Sequence, residues 1–147
     1  MRDLHSNISV IKTLAPIIGN NDTEGTPAVS ADRQGFNSIE HIAVIGASGD
    51  TLSGSVKIAL VLEDSDDDVT FAAVTDAAAV LGATPDASGI VKVIDDPAED
   101  DTVFRCGYVG SKRYSRLRAD FTGTHTNGTP IAMLALRGHP ESRPVAE

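Results

Sequence analysis

The sequence has no tryptophan, few other aromatic side chains and a single cysteine. Aromatics are 4% of a chain that is 41% apolar, so the core it can build is aliphatic, and stacking platforms for sugars or bases have little to draw on. The lone thiol, Cys106, excludes an internal disulfide. It falls inside a strand-like pattern with no histidine near it in sequence, which predicts a buried, unreactive group. No apolar run approaches the ~18 residues of a helical membrane span. No charged-then-apolar leader opens the chain, so the expectation is a soluble protein outside the secretion pathway. The Asn-x-Ser/Thr triplets at Asn7, Asn21 and Asn127 are then expected to be chance.

The usual signatures of catalysis are missing as well. His5, His41, His125 and His139 are scattered, without HxxxH spacing or a paired cysteine, so zinc has no local support and His41 is expected at a strand rim. No glycine motif lies between a strand and a helix to cradle phosphate, and neither Ser53 nor Ser111 sits in a nucleophile elbow. Carboxylate pairs lie in turn-like runs, where the burial that raises a pKa is not expected. Asp64, Asp66 and Asp68 have the alternate spacing of a calcium loop. The sixth and twelfth positions, however, are Val69 and Thr75 instead of Gly and Glu. The expectation is no enzyme, no cofactor and no specific metal, with weak divalent cation binding at the acidic turn left open.

What the chain does have is strand pattern. Thr102 to Gly138 reads as three consecutive strands, Thr102–Val109, Arg113–Thr122 and Pro130–Leu136. Gly110-Ser111-Lys112 and Gly123 to Gly128 offer the residues that hairpin connections require. In the middle strand Ser115, Leu117, Ala119 and Phe121 share one face, and Tyr114, Arg116, Arg118 and Asp120 share the other. The first face suits a core; the second suits a partner or water.

Taken in order, residues 1–30 read as an N-terminal arm and connector. Ile8, Val10, Ile11 and Leu14 form its apolar part, Pro16 denies helix, and Gly19 to Pro27 is a polar connector. Such an arm either pairs with the domain's own sheet, the favoured expectation, or lies on a neighbour, because its backbone needs a sheet edge. The β domain spans 31–138. Ile39 to Ile45 is apolar on both faces, as a central strand covered on two sides would be. Ser55 to Glu63 is the clearest core strand, with Val56, Ile58, Leu60 and Leu62 on one face. An acidic turn and Val69–Val74 complete a hairpin pattern, and Thr75 to Ser88 predicts a loop with a helical turn or short edge strand. Gly89 to Asp95 is another strand, and 139–147 reads as an extended tail. About seven to eight short strands predict an all-β fold, a β-sandwich or a jelly roll-like barrel.

Net charge is −9 and unevenly spread. Glu63 to Asp101 holds twelve acids against Lys92 alone, whereas Thr102 to Glu147 holds seven bases against three acids. Such polarity suits association between complementary surfaces or simply an acidic, soluble loop region. Arg113, Tyr114, Arg116 and Arg118 are candidate interface residues, since Arg and Tyr are enriched at anchors. Ion pairing of these arginines with the chain's own acids is an equal alternative. Nucleic acid is not expected as a partner of so acidic a chain.

DLHSNISVIKTLAP, DRQGFNSIEHIAVIG, VLEDSDDDVTFAAV and VIDDPAEDDTVFRCGYVGSKRYSRLRADFTGT with GTPIAMLALRGHPESRPV are spread along nearly the whole chain. Their pattern of strands and turns resembles small virion proteins of tailed bacteriophages, of the head decoration (capsid cement) type. Asp68-Val69 departs from the pattern where a glycine would suit the turn. The resemblance implies a structural part on the outer capsid surface, made in the bacterial cytoplasm. It also implies contacts with the major capsid protein and with copies of itself, a trimer favoured and a dimer also fitting. A tail or fibre-base component, or a carbohydrate-binding β-sandwich on the particle, is the alternative. The scarcity of aromatics argues against sugar.

Overall fold

The computed structural model describes residues 3–27 and 29–145. Ten strands form in chain order: β1 (Ile8–Gly19), β2 (Ala31–Asp32), β3 (Phe36–Ile45), β4 (Lys57–Ser65), β5 (Ala72–Ala73), β6 (Val80–Leu81), β7 (Ile90–Ile94), β8 (Thr102–Tyr108), β9 (Tyr114–Thr122) and β10 (Thr129–Pro140). They make two antiparallel sheets. The first has the order β1-β10-β3-β8-β6; the second is β2-β9-β4-β5, with β7 also paired to β4. The sheets do not close on each other, so the fold is a β-sandwich and the barrel alternative falls.

The core is what period-two patterning dictates. Ile58, Leu60 and Leu62 of β4 and Leu117, Ala119 and Phe121 of β9 face Ile39, Ala43 and Ile45 of β3 and Ile131, Met133 and Ala135 of β10. Each fully buried aliphatic side chain of this kind contributes about 1.5–3 kcal/mol of transfer free energy.

Two connections differ from the expectation. Strands β8, β9 and β10 are not joined as hairpins: β8 and β10 lie in the first sheet and β9 in the second. Residues 109–113 and 123–128 cross between sheets that pack ~10 Å apart. Glycine and polar residues serve a crossing as well as a hairpin, so local composition does not separate the two. Gly123 has φ +86, and a Cβ there would strike the carbonyl oxygen of Ser55. Asp50 ties down the same crossing by accepting from the backbone N–H groups of Thr126, Asn127 and Gly128 at 2.8–3.1 Å.

The N-terminal segment follows the favoured of its two expected courses: β1 pairs antiparallel with β10 of the chain's own first sheet, from Ile8↔Gly138 to Gly19↔Thr129. Its register shifts on either side of Leu14, and Pro16 follows, so the outermost strand carries the irregularities that discourage edge pairing. At the other end β10 runs to Pro140, one residue past the expected start of the tail. The ends of the expected arm and tail, residues 1–2 and 146–147, lie outside the described residues, as does Ala28. The Val69–Val74 strand shrinks to β5, paired at Glu63↔Ala73 and Asp64↔Ala72. Thr75–Ser88 holds a helical turn, Ala77–Ala79, and then the edge strand β6, as expected.

Candidate interaction surface

The arginine row lies where alternation put it, on the outside of the second sheet, but it is not an open surface. Register sets Glu63 of β4 opposite Arg116 and beside Arg118. The Glu63 carboxylate accepts from Arg116 Nε at 2.7 Å and from Arg118 Nε at 3.2 Å. Arg116 also stacks 3.9 Å from the Phe71 ring centroid, and Arg118 approaches Asp120 at 3.6 Å. Arg113 forms a fork with Asp32, its Nε and Nη2 donating at 2.9 and 2.8 Å, donates to Gln34, and lies over the Tyr114 ring. That guanidinium holds the Asp32 carboxyl below the usual carboxylate range. Beneath these groups Ala59 and Val61 are buried on the outer side of β4. The chain covers this sheet itself, and the arginines take the ion-paired course that the sequence offered as the equal alternative to an interface.

The acidic turn is equally committed. Asp64 accepts from Tyr108 Oη at 2.7 Å, Asp66 pairs with Lys112, and Asp68 accepts from Ser30. Asp67 accepts from the N–H groups of Val69 and Thr70 and from the Ser65 hydroxyl, and those hydrogen bonds lower its pKa. Asp68 adopts φ 61, the left-handed conformation for which a glycine seemed the better residue; Ser65 Oγ accepts its N–H at 3.1 Å. Among the described residues no three His, Cys, Asp or Glu side chains gather as a metal site requires.

Between the sheets lies a polar group that spacing could not reveal. His41 on β3 sits opposite Cys106 on β8, and its Nε2 is 2.9 Å from Ser115 Oγ on β9. His41 is therefore not a rim residue: it is fully buried, and Nδ1 has no partner. Burial lowers its pKa to about 4. Cys106 does have a histidine neighbour, brought to it by strand pairing across 65 residues of sequence. The thiol is nonetheless sealed in the core, and burial together with the Glu40 charge pushes it up to about 12.

The outer face of the first sheet is different. Of the candidate arm residues, Leu14 is 7% exposed in the core and Ile11 is partly buried against it. Val10 stands 56% exposed on the outside, on the same side of β1 as Ile8. It joins a continuous apolar face. Val10 pairs with Leu136, Lys12 with Leu134, Leu134 with Ile42, and Val44 with both Ala132 and Val103. Val44 is 42% and Val103 62% exposed, with Ile18 and Leu81 also open at the margins. Strands β3 and β10 are apolar on both faces, and that was the available signal. Sequence reading took two apolar faces on Ile39–Ile45 as cover on both sides, whereas only the inner side is covered. A groove of about 690 Å³ between Leu4, Asn7, Ile8 and His139 opens at the end of this same sheet.

No helix among the described residues is long and apolar enough to cross a membrane. No family model, no curated protein and no solved structure matches the chain.

Proposed function

We propose that the protein is a structural virion component that docks on the outside of a phage capsid shell and stabilises it. One observation carries the reading: of two otherwise similar sheets, one covers its own outer face with arginines, Glu63 and Phe71, and the other leaves valines, leucines and isoleucines open to solvent. A face of that kind performs by packing against a neighbour. The resemblance of strands and turns to head decoration proteins supplies the setting. Repetition over a lattice converts modest contacts into high avidity, and copies grouped in threes suit the local threefold positions of a shell. The major capsid protein is the partner on this reading.

The test uses shells of the encoding particle purified without this chain. Added protein should bind them to saturation and raise their melting temperature. Absence of both effects would end the reading. Binding confined to tails, seen by labelling, would move it to a tail or fibre-base component.

A further inference from the structure

One cross-strand row of the open face reads Lys12, Leu134, Ile42, Arg105, one residue from each of four neighbouring strands. Three inter-strand steps of ~4.8 Å place its two cations about 14 Å apart at the Cα level, with an apolar bar between them. Val44 and Val103 continue the bar in the next row. Arg105 donates through Nη1 to Glu40 at 3.1 Å, but its side chain is 76% exposed. On a molecule of net charge −9, this face carries two cations against one carboxylate. Charge therefore identifies what covers it.

Building on the capsid-docking reading, we propose that this face takes a protein surface of complementary chemistry, an apolar patch bracketed by two carboxylates that meet Lys12 and Arg105. A second copy packed face to face fits badly, because that contact would gather four cations against two carboxylates while removing water from them. A bilayer fits badly too. The rows that hold Lys12, Leu134, Ile42, Arg105, Val44 and Val103 have no aromatic side chain to sit at the headgroups, and the whole chain is repelled by an anionic surface.

The experiment measures uptake by shells of the encoding particle at low and high salt. It compares wild type, Lys12→Gln/Arg105→Gln and Val103→Asp, all at exposed positions, with thermal melts to confirm folding. The double variant should bind about tenfold more weakly at low salt, with the gap closing as salt rises. V103D should lose binding at either salt. If wild type and both variants bind alike, the shell reading stands and this face is not the site. If V103D fails but the double variant binds as wild type does, the face docks and the carboxylate bracket is wrong. If wild type is not taken up, the docking reading falls and this inference with it. Two controls name other occupants, and either positive result overturns the proposal: a concentration-dependent dimer in sedimentation velocity that V103D abolishes, or pelleting with phosphatidylserine vesicles that the double variant abolishes.

Discussion

Replacing His41 offers the sharpest test of how this core is built. The imidazole is enclosed between the sheets, with Nε2 on Ser115 and Nδ1 unpartnered, and burial lowers its pKa from 6.5 to about 4. In the unfolded chain it titrates near 6.5. Above that pH it is neutral in both states and contributes no pH dependence. Between 6.5 and 4 the unfolded chain takes up a proton that the folded chain refuses, so stability falls as pH falls. Linkage makes that loss about 2 kcal/mol at about pH 5. The carboxylates held low, Asp32, Asp67 and Glu99, keep their contribution until pH drops through their own folded values, below this window. Asp120, whose burial and contact with Asp22 raise its pKa, works in the opposite direction. His41→Leu alone should cost about 1–3 kcal/mol at neutral pH, because the Ser115 hydroxyl is left unpaired. His41→Leu/Ser115→Ala removes both partners and should be close to wild type at about pH 7 and more stable than it at about pH 5. Urea midpoints at the two pH values read this directly. A double variant whose midpoint falls between them as steeply as that of wild type would refute the reasoning.

The remaining predictions concern groups that hold the sheets and their connections in place. Tyr108→Phe removes the hydroxyl that donates to Asp64 and accepts the Lys112 N–H, and should cost about 1–3 kcal/mol in chemical denaturation. Gly123→Ala should be destabilising by more than about 1 kcal/mol, since it combines a positive φ with a collision against Ser55; Gly54→Ala, with open space around it, is the control. Glu63→Gln removes the shared negative charge and turns one of its two acceptor oxygens into a donor facing two arginines whose side chains are only 20% exposed. It should lower the urea midpoint by the equivalent of about 1–3 kcal/mol without moving shell uptake, since the proposed docking uses the other sheet.

The sequence by itself determined the class of fold and most of the strands. Alternation in Ser55–Glu63 and Arg113–Thr122 sorts core from surface one residue at a time, because a strand turns successive side chains to opposite sides. It also located the helical turn and edge strand of Thr75–Ser88. Tertiary structure alone decided which strands are neighbours. Glu63 comes to lie between Arg116 and Arg118, and His41 beside Cys106 and Ser115, only because strand register brings distant residues together. Register also decided what lies above each face. A stretch apolar on both sides states that it wants covering twice, and nothing local says whether the second cover comes from its own chain. Over the arginine sheet it does; over Ile42, Leu134, Val44 and Val103 it does not, and the last two stay open to solvent.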